Sequence, residues 1–325
     1  MKKILYVRKA PDSGINGTTK YCDALYNLFA KDPDCQPLPI ENYPTRKSRL
    51  FHYYYQLKPL YRAFKAADII HINGYTDMGT VEAFLIARWL KKQIVYTAHW
   101  HPFCRLTHPV GGKIFFNVFL RPLVHFFAQS VVCINNEDSA YFSTFTKHIK
   151  RIPHWFVPRP MTKYIERKPN MILFVGRLND PVKGIEYLYD LPEGKYDIHC
   201  VGYGELPHKR SDMTHHYNLT DDELATLYRQ ASLLVIPSMY EAFSYVALEA
   251  FSYETPVVMS DRVRIADYLG GVKGYKIFKF GNHRQFVDSV AETIGQPVDR
   301  EKVMQIFNID RIFKLYKQLY MEPKR

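Results

Sequence analysis

The chain has 325 residues, 47% of them apolar and 23% charged, and a formal charge of +12. This is enough for two domains of ordinary size, each with its own core. The apolar runs fall short of the roughly 18–20 residues of a membrane span, and cysteines at 22, 35, 104, 133 and 200 have neither disulfide-framework nor zinc-site spacing. Met1-Lys2-Lys3 leads straight into a strand with no signal-peptide core before it, so a reduced, cytoplasmic protein is expected. In chain order, apolar and aromatic runs predict strands at 4–7, 68–72, 93–98 and 131–134. After the proline-rich stretch Ile152–Pro160 they resume at 171–175, 196–201, 232–236 and 256–259. Helical stretches alternate with them, which predicts parallel α/β layers. Three prolines cannot continue a helix or a central strand, so the domain boundary falls within 150–168. Helical periodicity over 300–320 predicts one terminal helix.

After the strand ending at Ile236 come two glutamates eight residues apart, Glu241 and Glu249, in Pro237-Ser238-Met239-Tyr240-Glu241-Ala242-Phe243-Ser244-Tyr245-Val246-Ala247-Leu248-Glu249-Ala250. At a helical rise of 1.5 Å per residue they would stand roughly 12 Å apart, about the span from a sugar to the ribose across a pyrophosphate. Glu241 would then hold sugar hydroxyls and Glu249 the ribose. Backbone N–H groups of a helix start near Ser244 would hold the phosphates, with Phe243 and Tyr245 beside them. By spacing alone both acids would be ordinary helix-surface residues. Glu249, however, sits in the apolar run Tyr245–Phe251, where a solvated acid is not expected.

This segment resembles the retaining glycosyltransferases of the GT-B fold, in the large family 4-like group (group 1) that includes sucrose synthases and bacterial mannosyltransferases. The resemblance continues in Glu254-Thr255-Pro256-Val257-Val258, in Phe174-Val175-Gly176-Arg177-Leu178 with Lys183-Gly184, and in Val201-Gly202-Tyr203-Gly204. These blocks stand in the family's order and cover about residues 170–260. The resemblance implies two Rossmann-like parallel-sheet domains facing a cleft. The acceptor-binding domain would be 1–155 and the nucleotide-sugar domain 156–305, with a terminal helix, 306–325, returning to the first domain. Periodicity alone fits equally well a final helix of the second domain.

Transfer of a glycosyl group requires charge aimed at the departing phosphate. Arg177, at the carboxyl end of strand 171–175, and Lys183 are the candidates. By residue type they are equally solvated loop cations. The resemblance implies an Arg/Lys pair in place of a metal, so no metal or other cofactor is expected. His99, in Tyr96-Thr97-Ala98-His99, closes a strand where the family has a His that contacts the transferred sugar. A packed structural His is the other reading, and His101 and His108 lie nearby. Gly17 and Thr18 stand at a βα turn, before a helix from about Thr19, where glycine allows close approach to a donor phosphate. His71 is expected to be structural. Ala242, the segment Val263–Asp267 and His154-Trp155 depart from the family pattern, so the donor sugar is not named.

The charge is uneven. Residues 1–160 carry 22 Lys/Arg and 10 Asp/Glu, and residues 161–325 carry 22 of each. Segments 43–65 and 103–127 interleave cations, among them Arg46, Lys47 and Arg49, with many Tyr and Phe. Such a mixture suits an anionic membrane surface, where each basic residue contributes about 1 kcal/mol. It also suits stacking on single-stranded nucleic acid, or core aromatics with solubilising cations. Confinement of the charge to one domain favours the membrane. The expectation is a metal-independent, retaining glycosyltransferase. It would use a nucleotide-diphosphate sugar and a glycan or lipid-linked acceptor, at the inner face of the cell membrane, in cell-surface polysaccharide synthesis. The alternatives are an epimerase or phosphorylase of the same fold, or a non-catalytic nucleotide-sugar or nucleic-acid binding protein.

Overall fold

Short apolar runs bounded by turn residues become strands here because each is buried on both faces, as interior strands of parallel sheets are. The computed structural model describes residues 1–7, 17–38, 45–47, 52–54, 57–74, 77–99, 110–160 and 165–324. The chain divides into two units, Met1–His154 with Asp310–Arg325, and Trp155–Ile309.

The first unit begins β1 (Lys2–Val7), α1 (Gly17–Phe29), β2 (Cys35–Pro37), β3 (Thr45–Lys47), β4 (His52–Tyr54), α2 (Leu57–Ala66), β5 (Ile69–Gly74) and α3 (Met78–Trp89). It continues with β6 (Gln93–Ala98), α4 (Val110–Phe115), α5 (Arg121–Phe127), β7 (Ser130–Cys133), α6 (Asn136–Ser143) and β8 (Ile149–Arg151). A π turn, Phe116–Leu120, joins α4 to α5, so 110–127 is one helical run. β2-β1-β5-β6-β7-β8 form one parallel sheet, and β3 and β4 an antiparallel pair. One face packs Leu5, Ile70, Ile72, Ile94 and Val131 against Phe84, Phe116 and Phe142.

The second unit holds β9 (Met171–Val175), β10 (Asp197–Val201), β11 (Met213–His216), α7 (Asp221–Gln230), β12 (Leu233–Ile236), α8 (Tyr245–Ser252), β13 (Val257–Ser260), β14 (Tyr275–Phe278), α9 (His283–Thr293) and α10 (Arg300–Ile306). Its sheet, β11-β10-β9-β12-β13-β14, is also parallel throughout. The strand period of two divides its core. Met171, Leu173, Leu234, Ile236, Val257 and Met259 face one layer, and Ile172, Phe174, Leu233, Val235 and Val258 the other.

The expected terminal helix is in fact two. α10 ends at Ile306, and α11 (Ile309–Met321) follows. The break lies at Phe307, whose buried ring anchors in the second unit's core and whose carbonyl accepts from the Phe156 N–H at 3.0 Å. α11 belongs to the first unit. Its Tyr316 and Tyr320 are buried, Phe313 and Tyr320 pack on Phe29, and Lys317 reaches Asp32 at 2.8 Å and Asp34 at 2.7 Å. Four of the five cysteines, Cys22, Cys35, Cys133 and Cys200, are buried free thiols, and Cys104 lies outside the described residues.

Candidate active site

Winding of the second sheet reverses between β9 and β12. At such a point the connections leave the two strands toward opposite faces of the sheet, and ligands of open α/β sheets bind at the carboxyl ends. Arg177 and Lys183 follow β9, and Ser238 and Glu241 follow β12. The loops are locked together by backbone. The Met239 N–H donates to the Val182 carbonyl at 2.7 Å. Gly184 has φ 69°, and a Cβ there would stand 2.1 Å from the Pro237 carbonyl oxygen, so the loops close only over glycine. Gly202, with φ 148°, does the same for the loop after β10, since a Cβ there would lie 1.8 Å from the Gly176 carbonyl oxygen.

Across this junction Lys183 Nζ donates to Glu241 Oε1 at 2.5 Å, and Ser238 Oγ donates to the same oxygen at 3.3 Å. The two charged side chains are 24% and 18% exposed, so the pair is partly sheltered from water. Glu241 is fixed through its backbone as well. Its N–H donates to Arg262 O at 3.1 Å, and its carbonyl accepts from the Arg264 N–H at 2.9 Å. Arg177 pairs with Asp180, three residues on, and keeps a side chain 67% exposed. Asp180 also accepts from the Val182 N–H at 3.1 Å and so caps the turn that carries Lys183. The two cations read from the sequence as one pair thus have a carboxylate each. Asp180 was not anticipated, although its i,i+3 spacing from Arg177 was visible.

The glutamate pair does not lie on one helix. Glu241 forms a short parallel bridge with Val263, and α8 begins only at Tyr245, so helical rise covers just the second half of the spacing. Ser244 is buried and caps α8, accepting from the Ala247 N–H at 3.4 Å. Phe243 is half-buried and packs against Tyr245 and Phe307, each at 5.5 Å between ring centroids. Glu249 is half-buried on α8 and accepts from the buried Tyr228 hydroxyl at 2.7 Å. With Tyr228, Tyr253 and Arg159 it lines a cavity of about 100 Å³. Burial first, and then the Glu249 charge, push the Tyr228 phenol well above its usual range, so it remains a donor. No sequence signal marked Tyr228.

In the first unit, His99 follows β6. Its Nε2 lies 3.2 Å from Asn73 Oδ1, and its ring meets Tyr21 edge-on at 5.0 Å and stacks near His154 at 6.3 Å. Burial lowers its pKa to about 4, so the ring is neutral at pH 7 and offers one donor and one acceptor. His71 is fully buried between Tyr320 (2.7 Å) and Thr97 (2.6 Å). Gly17 and Thr18 are the first residues of α1, two positions earlier than the expected start at Thr19. His101, His108, Arg49 and residues 100–109 lie outside the described residues, as do the side chains of Arg46 and Lys47.

Two parallel six-stranded sheets, the second with charged loops at its reversal, define the GT-B class. Residues 169–296 match the family model described as glycosyl transferases, group 1, and the second unit is a group 1 glycosyltransferase domain. An uncharacterized glycosyltransferase of Methanocaldococcus jannaschii is 36% identical over 111 residues, 30% of this chain and 28% of its own length. A second from the same organism is 25% identical over 257 residues, 76% of this chain and 67% of its own. The structure of Anabaena HepE in complex with UDP-glucose superposes with a TM-score of 0.71 at 16% identity, covering 99% of this chain and 100% of that one. The fold of the whole chain is therefore that of the GT-B glycosyltransferases.

Proposed function

We propose that this protein transfers a sugar, with retention and without a metal, from a nucleotide diphosphate to a glycan or lipid-linked acceptor. The observation that carries the reading is the Lys183–Glu241 pair, fixed across the sheet reversal by backbone that only glycine at 184 permits. A diphosphate offers Lys183 a stronger partner than one carboxylate, and Arg177 adds a planar donor matched to phosphate. Together they stabilise charge on the leaving group, the term that contributes most to such a transfer. Glu241, released from Lys183, accepts from sugar hydroxyls. The amino end of α8, beginning at Tyr245, faces phosphate chemistry by its dipole, and Glu249 accepts from the ribose. Gly17 and Thr18 at the start of α1, and neutral His99, are assigned to the donor as the family resemblance implies. The HepE complex with UDP-glucose supports a nucleotide-sugar donor.

The acceptor reading rests on the charge of residues 1–160, which suits a lipid-linked substrate at the inner surface of a membrane and a role in cell-surface polysaccharide synthesis. Among the described residues no helix is long and apolar enough to cross a membrane. Incubation with nucleotide sugars and membrane lipid extract in EDTA, followed by NMR of the product anomer, tests the proposal. Transfer with the donor's anomeric configuration is expected. Loss of transfer on chelation with rescue by a divalent cation, or an inverted product, contradicts it.

A further inference from the structure

A second basic site lies at the opposite edge of the first unit's sheet. A pocket of about 480 Å³ is lined by Arg88, Lys91, Lys92 and Lys324, with Phe126 on its wall and no carboxylate in its lining. Lys91 and Lys92 immediately precede β6, whereas His99 follows it, so six residues of strand, about 20 Å, separate the pocket from His99. It is therefore distinct from any chemistry at the carboxyl edge.

None of the four cations is neutralised by an acid among the described residues. Arg88 stacks over the Phe127 ring at 5.4 Å, Lys92 donates to the Lys65 carbonyl at 2.9 Å, and Lys324 donates to the Lys91 carbonyl. Lys91 has φ 52°, at the position after the α3 cap where glycine is the relaxed residue. Lys91 is exposed and lines the pocket from this position. The sequence around it is consistent, since no acidic residue occurs between Glu82 and Glu137.

The rim is apolar. Phe126 is 71% exposed, and Trp89, next to Arg88, is 74% exposed. Leu85 lies one turn before Trp89, and Val110, Ile114 and Val118 form an exposed stripe at four-residue spacing along the 110–127 helical run. The same run buries Phe115, Phe116, Leu120 and Val124 in the core, so it is apolar on both sides. Exposed apolar side chains beside a cation-lined pocket whose lining holds no acid match a lipid interface by charge as well as by polarity.

We propose that this pocket binds the phosphate of an anionic lipid headgroup, with Trp89 and Phe126 entering the lipid surface around it. The occupant, though not the pocket's charge, rests on the membrane-surface reading above. Co-sedimentation of the full chain with phosphatidylglycerol and phosphatidylcholine vesicles tests it. The wild type is expected on phosphatidylglycerol alone, and R88E/K91E/K92E should reduce partition on the order of 100-fold at unchanged melting temperature. W89S/F126S should reduce it too, while leaving the salt dependence in place. If the triple variant binds like the wild type, the pocket is not the headgroup site, although the membrane reading survives. If the wild type binds neither vesicle, both fall. If inorganic pyrophosphate raises the melting temperature of the wild type but not of the triple variant, and no vesicle is bound, the occupant is a soluble anion and the lipid assignment is overturned.

Discussion

Lys183 Nζ and Glu241 Oε1 lie 2.5 Å apart, although 58 positions of chain separate them. The pair ties the loop after β9 to the loop after β12 and so couples local stability to the proposed chemistry. Lys183→Ala should lower turnover by about 10²–10³, as for other preorganised electrostatic donors. It should also cost about 1–3 kcal/mol of stability, because Glu241 is left half-buried with less compensation. Adding Glu241→Ala should recover part of that stability and none of the turnover. Melting curves and kcat for the two single variants and the double variant check this. Full turnover in Lys183→Ala removes Lys183 from the site.

Arg177 should behave differently. Its side chain is 67% exposed, and ion pairs screened by solvent contribute about 0–1 kcal/mol. Arg177→Ala should therefore leave the melting temperature nearly unchanged while lowering kcat by about tenfold or more. A fall in stability with normal kcat would show a purely structural role.

For Glu249, the hydrogen bond from Tyr228 at 2.7 Å orients the carboxylate. Bonds to a charged acceptor contribute about 1.5–3 kcal/mol each, so Glu249→Ala should weaken binding of the free nucleoside diphosphate roughly 10- to 100-fold. Tyr228→Phe keeps the charge and should weaken it by less. Competition against a fluorescent nucleotide separates the two effects, and equal affinity in all three proteins excludes a ribose contact.

The eight strands expected from the sequence are the eight interior strands of the two sheets, β1, β5, β6, β7, β9, β10, β12 and β13. Interior parallel strands are covered on both faces, so they are written as unbroken apolar runs such as Met171–Val175. The strands not anticipated include all four sheet edges. Ile149-Lys150-Arg151 and Met213-Thr214-His215-His216 are half-exposed and polar, and as sequence they resemble loops. The loops bearing Arg177, Lys183 and Glu241 were legible through the family resemblance, and two residues of its pattern, Gly184 and Pro237, are in steric contact in the structure. Partners from distant segments were not legible. Tyr228 meets Glu249 through packing of α7 on α8, which no local pattern encodes. The break at Phe307 was hidden because residues on both sides of it keep helical periodicity.

Acid should weaken the first unit. Burial lowers His71 and His154 to about 3 and His99 to about 4, whereas an unfolded histidine titrates near 6.5. As pH falls below about 6.5 the unfolded chain takes up these protons before the native one does, so stability declines progressively toward pH 4. Urea midpoints measured between pH 7.5 and 4.5 should therefore decrease steadily below about 6.5. His71→Asn should be less stable at neutral pH and show a shallower decrease. A flat midpoint down to pH 5 contradicts neutral burial of these rings.

The most direct test of the central claim is calorimetric titration of the protein, in EDTA, with UDP-, GDP-, ADP- and CMP-sugars, repeated on Lys183→Ala and Glu241→Ala. At least one nucleotide sugar is expected to bind the wild type, with affinity reduced tenfold or more in both variants, since each loses a charge-assisted contact. Binding that is equal in all three proteins, or absent from the wild type for every donor, would contradict the assignment of the β9–β12 junction as the nucleotide-sugar site.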